Sequence, residues 1–140
     1  MLNKIVFSAI LISSSAAFAA NTNNTVVISD SENVATFTVA DKYWAVVATN
    51  QVNGMTKMRE FYDMGTLGLQ QIDYVVNCAD QKLAMAGFAV IPTMSAKSDS
   101  PNNRSYADLS FYTPVIHHDK NIVDNVCSGR FAVRSAQVAN

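Results

Sequence analysis

Few side chains in this chain of 140 residues can do covalent or acid–base chemistry. Cys78 and Cys127 are its two cysteines. They stand too far apart for a redox C-x-x-C pair, and no further thiol exists to complete a zinc set. In an oxidising compartment an even count favours one bridge, Cys78 to Cys127; the alternative is two unpaired thiols. The two histidines, His117 and His118, are adjacent and followed by Asp119. Neighbours point to opposite faces of a strand and diverge by about 100° on a helix, so the triplet does not converge on one metal ion unaided. It fits a solvated helix start, with Asp119 or Asp124 doing surface or capping work.

The other carboxylates that could serve acid–base chemistry are Glu60, Asp63, Asp73 and Asp80. Each is expected at a turn or on an outward face, solvated by water. No serine occupies a G-x-S-x-G elbow. Gly65-Thr66-Leu67-Gly68 lacks the Lys-Ser/Thr continuation of a phosphate loop. The chain is therefore expected to be non-enzymatic, with no catalytic residue, no metal site and no cofactor.

The N-terminus says where such a protein works. Lys4 and the α-amino group make a short positive segment, Ile5 to Ile12 is apolar except for Ser8, and Ala16-Ala17-Phe18-Ala19-Ala20 supplies a small-x-small end. These are the parts of a secretory signal peptide over residues 1–19, cleaved after Ala19. The apolar run is shorter than the ~20 residues a bilayer crossing needs, and no later segment is long and apolar enough. No cysteine follows the cleavage point to carry a lipid. The mature protein is expected in the periplasm or secreted.

Beyond the leader, residues 20–35 read as a flexible or short-strand lead-in, 36–135 as a single domain and 136–140 as a tail. Ten Lys and Arg stand against eleven Asp and Glu, with neither sign in a block. Lys57-Met58-Arg59 is the densest basic cluster, a poor footprint for neutralising phosphates, so nucleic acid is not an expected partner.

The elements that position these residues follow from period and punctuation. Val26 to Ser29 and Thr36 to Val39 are candidate short strands, and Tyr43 to Ala48 a stronger one, with Trp44 in the core and Tyr43 outward. Asn53-Gly54 is a hairpin signal because both residues tolerate positive φ. Met55 to Tyr62 then sets Lys57 and Arg59 against Met58, Glu60 and Tyr62, which leaves a carboxylate among large apolar groups. Ile72, Tyr74, Val76 and Cys78 share one strand face. After a turn at 79–81, Lys82 to Ile91 returns with Ala84, Ala86, Phe88 and Val90 on one side, small enough to suggest a helix packed there. Pro92 ends that strand. Thr93 to Ser105 is a polar loop. Tyr106 to Tyr112 is a candidate short strand. A helix begins near His118 or Asp119, with Ile122 or Val123 and Val126 as its apolar stripe, Asp119 and Asp124 toward solvent, and Gly129 as its C-cap. A last strand is suggested at Phe131-Ala132-Val133. The fold class is α+β: an antiparallel sheet with a C-terminal helix packed across it and one disulfide.

Several landmarks recur in a known order: the Trp strand Tyr43-Trp44-Ala45-Val46-Val47, the strand end Phe61-Tyr62-Asp63, the strand Tyr74-Val75-Val76-Asn77-Cys78 with its return, and a Pro-led helix closing on Cys127. Over residues 42–128 this order resembles the surface-adhesin protein E family of bacterial envelope proteins. The resemblance implies an antiparallel sheet with a helix across it, and protein binding, in an adhesin's case to host matrix or serum proteins. Two departures bear on that implication. The lipidation cysteine is absent, and the 93–105 loop carries only Lys97 and Arg104 as basic residues.

The expected function is accordingly protein binding by a small exported envelope protein, adhesin-like or otherwise. Tyr43, Arg104, Tyr106 and Tyr112 are its candidate anchors, since Tyr and Arg are enriched at interface hot spots. An alternative is a periplasmic inhibitor or immunity-type protein that blocks a partner enzyme with a loop at Asp99 to Arg104. A third class, a small hydrolase or metal protein, would have to be carried by His117, His118 and Asp119.

Overall fold

A computed structural model describes residues 26–28, 33–49, 53–96 and 104–133. The expected signal peptide, the 136–140 tail and the centre of the 93–105 loop lie outside the described residues. Six strands form one antiparallel sheet: β1 (Val34–Ala40), β2 (Tyr43–Ala48), β3 (Thr56–Asp63), β4 (Leu69–Asn77), β5 (Lys82–Ile91) and the two-residue β6 (Ala132–Val133). Their spatial order is β5-β4-β3-β2-β1-β6, so the first five make a meander and the chain end closes the β1 edge.

Local chemistry sets the turns. Asn53 and Gly54 have φ of 53° and 73°, the left-handed pair that a tight hairpin needs before β3. Between β3 and β4, Gly68 has a φ of 94°, and a Cβ there would lie 2.7 Å from the Ile91 carbonyl oxygen, so only glycine fits. The α-helix, α1 (His117–Cys127), ends in a Schellman arrangement: the Gly129 N–H donates to the Val126 carbonyl and the Arg130 N–H to that of Asn125.

α1 packs on one face of the sheet. Ile122, Val123 and Val126 meet Ala45, Val47, Met58, Tyr74, Val76 and Leu83 in the main core. Its last residue is joined by the Cys78–Cys127 disulfide to the end of β4, with the Cα atoms 5.4 Å apart. In the chain-entropy picture, closing a loop with this sequence separation of 49 contributes about 4 kcal/mol.

The sequence does not suggest that the opposite face is covered as well. Val26 packs there with Val75 and Ala86, flanked by Met55, Tyr106, Leu109 and Phe111. The Arg104 N–H donates to the Ala86 carbonyl at 2.8 Å, and the Arg104 carbonyl accepts from Val26 at 3.1 Å. Two candidate strands become parts of this irregular layer. Val26–Ile28 has no strand conformation, and Tyr106 to Tyr112 is a 3-10 turn over Tyr106–Asp108 followed by a single bridge from Tyr112 to Leu83.

A double cover explains why Glu60 and Asp73, expected in solvent, are both about 1% exposed. Asp73 faces the irregular layer and accepts two bonds from the Arg59 guanidinium, at 2.7 and 2.9 Å. Arg59 also donates to the carbonyls of Ser95 and Ala96, and the Lys57 ammonium to that of Val27. The densest basic cluster of the sequence thus fastens backbone segments to the sheet.

β5 departs from its expected alternation. A bulge opposite Asp73 and Tyr74 shifts the register, so that Tyr74 pairs with Met85 and Asp73 with Gly87. One extra residue reverses which face every later side chain takes. Ala84 and Ala86 therefore lie buried under the irregular layer, not under a helix, whereas Phe88 and Val90 emerge on the helix side.

Candidate functional site

The helix side of the sheet brings together the residues most capable of function. Across the strands, Ala45, Glu60, Ile72 and Phe88 stand directly opposite one another in turn. Tyr43, Tyr62, Gln70 and Val90 form the neighbouring row on one side, and Val47, Met58, Tyr74 and Met85 the row on the other. α1 crosses these rows with its N-terminal turn above Glu60. The His118 Nε2 lies 2.7 Å from the Glu60 Oε2. Tyr43 packs its ring on that imidazole, with centroids 4.6 Å apart, and stacks on Tyr62 at 4.7 Å.

Burial governs the electrostatics here. Desolvation raises the pKa of the Glu60 carboxyl above its ordinary value; the nearby His118 opposes the rise, and the neighbouring Asp119 charge adds to it. The Tyr112 hydroxyl donates to the Asp119 Oδ2 at 3.0 Å. Tyr43, Tyr74 and Tyr112 are all pushed above the ordinary phenol pKa, first by desolvation, so these rings remain neutral donors at physiological pH.

His117 turns away from His118, as expected of adjacent residues, and meets the Asn121 amide at 3.1 Å. Asp119 is buried against Tyr112 instead of facing solvent, because the 112–116 segment folds back beside the helix start. Among the described residues no cluster of His, Cys, Asp and Glu could hold a metal ion. His118 pairs with Glu60 as imidazole and carboxylate.

Beside this pair the helix leaves apolar surface open. Met85, Phe88 and Val90 are 45%, 40% and 57% exposed and all face the helix side. The half-buried Ile72 separates Phe88 from Glu60. Tyr112, also exposed, borders the strip near the start of β5, and the exposed Val115 and Ile116 precede the helix.

The four expected binding residues divide between the two faces. Tyr43 and Tyr112 belong to the helix side, one against His118 and the other bonded to Asp119. Arg104 is exposed and Tyr106 half-buried in the irregular layer on the other side. Tyr43, expected outward, and Trp44, expected in the core, are both half-buried. Tyr43 faces the helix, while Trp44, half-buried on the opposite face, lines a cleft of about 270 Å³ with Thr36, Thr38, Val46 and Met94.

Sequence reasoning missed Glu60 as the partner of His118, and missed the strip. The first had a visible signal: a carboxylate in register with Met58 and Tyr62 on an apolar strand face. The second had none, because the bulge in β5 has no marker in the sequence beyond Gly87. Comparison with protein-family models, curated proteins and solved structures finds no match for this chain.

Proposed function

We propose that this chain is an exported, disulfide-bonded envelope protein that acts by binding another protein through the open strip on the helix side of its sheet. The observation that carries the reading is the exposure of Met85, Phe88 and Val90 together on one side of β5. Single exposed apolar residues are ordinary, but contiguous ones bordered by aromatic groups mark interaction surfaces. Tyr43, Tyr62 and Tyr112 supply such a border and the hydroxyls an interface needs. The disulfide supports an oxidising compartment, in keeping with the leader-like N-terminus. No helix of the described residues is long and apolar enough to cross a membrane. An adhesin-like role, in which the partner is a host matrix or serum protein, is one form of this reading.

The test is capture from envelope extract and from host matrix by the mature protein, run beside Val90→Glu and Thr36→Glu. Val90→Glu places a charge in the strip, and Thr36→Glu places one on the opposite face. A partner retained by the wild type and Thr36→Glu but lost from Val90→Glu supports the reading. A partner indifferent to Val90→Glu, or none at all, removes it.

A further inference from the structure

We propose that Glu60 and His118 form a pH-responsive clamp on the first turn of α1, closed in mildly acidic conditions and loosened as the medium becomes alkaline. Its effect on partner binding rests on the reading of the strip above; the clamp itself does not.

Unequal fastening of the helix is the starting point. Its C-terminal end is tied covalently to β4 by the disulfide and capped by the Schellman bonds. Its N-terminal end has no side-chain cap: Ile116 occupies the N-cap position and offers no acceptor. The first turn is therefore held by side-chain contacts: Asp119 with Tyr112, the His118 imidazole against the Tyr43 ring, and His118 with Glu60.

The contact of His118 with Glu60 is the one that responds to protons. Glu60 lies in the middle of β3 with strands on both sides, and its side chain is 2% exposed; the imidazole that meets it is 26% exposed. Among the described residues His118 is the one cationic group against that carboxylate. Other polar groups facing the pair are the hydroxyls of Tyr43 from β2, Tyr62 from β3, Tyr74 from β4 and Tyr112 from the segment before α1, with the Asp119 carboxylate from the helix itself. None of these supplies a positive charge. An imidazolium at a helix N-terminus also opposes the helix dipole, so it is held there by the carboxylate.

While the pair holds one proton between them, the imidazole and the carboxylate 2.7 Å apart carry no net charge, and sheet and helix stay joined. Once that proton leaves, a carboxylate remains buried without a counter-charge, which is costly, and an opened first turn that lets water reach it becomes the better state. The closed form binds the proton more tightly than the open one, so acid closes the clamp. Phe88 is two strands from Glu60 in the same row, about 10 Å away, so movement of this turn alters the border of the strip.

Amide hydrogen exchange from pH 5.5 to 8.5, corrected for the intrinsic pH dependence, tests the clamp without any partner. Protection of the amides of residues 120–122 is expected to fall by about tenfold or more with rising pH, as suits loss of an ion pair with one buried partner. Residues 123–127, next to the disulfide, should keep theirs. Glu60→Gln, or His118→Gln should the first variant fold poorly, should remove the pH dependence while sheet amides stay protected. Protection that does not change with pH in the wild type, or the same change in a folded variant, overturns the clamp. That result would leave the binding surface standing, whereas indifference to Val90→Glu would remove the surface and leave the clamp.

Discussion

Two carboxylates of similar burial are solved in different ways. Asp73 has a guanidinium that meets it with two bonds, whereas Glu60 has one imidazole and a neighbouring acid. Removing Asp73 takes away the carboxylate that accepts two bonds from the buried Arg59 guanidinium, so Asp73→Ala is expected to cost about 3–5 kcal/mol, read by urea unfolding. Glu60 behaves in the opposite sense. Its folded pKa is raised above the ordinary 4.5, so the folded state binds this proton better than the unfolded chain does. The stability it contributes is full below that ordinary value and is lost as pH rises through the folded value. The stability of the wild type relative to Glu60→Gln should therefore decline with pH from about 4.5 upward, measured by urea unfolding at several pH values. A difference that grows with pH would contradict the assignment. The sequence hints at the setting of Glu60 through Met58 and Tyr62 on its face, but not at the burial of Asp73, because an alternating strand read alone shows two faces and not whether both are covered.

At the scale of elements, the sequence carries more. β2 and β5 run over the residues that composition and Pro92 suggest, the Asn53-Gly54 turn takes the positive φ its chemistry allows, and α1 begins within two residues of its expected start. These follow from local preference and period. What escapes is set by tertiary partners. Tyr106 to Tyr112 has a strand's composition, yet only Tyr112 finds an edge to pair with, and the remainder packs against Val75 and Ala86. The bulge in β5 likewise depends on its neighbour strand. The stripe of α1 gives the sharpest expectation at this scale. Ile122 is fully buried between helix and sheet, so Ile122→Ala should lower stability by about 2–5 kcal/mol. Asp124→Ala, on the solvent side of the same helix, should change it by no more than about 0.5 kcal/mol in the same unfolding measurement.

The whole molecule is a sheet between two unlike covers. A helix, tied by a disulfide, closes most of one face, and irregular segments, tied by Arg59 and Lys57, close the other. The helix leaves Met85, Phe88 and Val90 of β5 exposed, and these form the open apolar strip. Three methionines report on this arrangement without any substitution. Met85 is in the strip, Met94 is exposed beside the Trp44 cleft on the opposite face, and Met58 is buried under α1. Peroxide oxidation followed by peptide mass spectrometry, with and without the captured partner, measures all three at once. In the free protein Met85 and Met94 should oxidise readily and Met58 should resist. With the partner bound, Met85 should become protected while Met94 stays reactive. Protection of Met94 in place of Met85, or of neither, would contradict a binding surface on the helix side of the sheet.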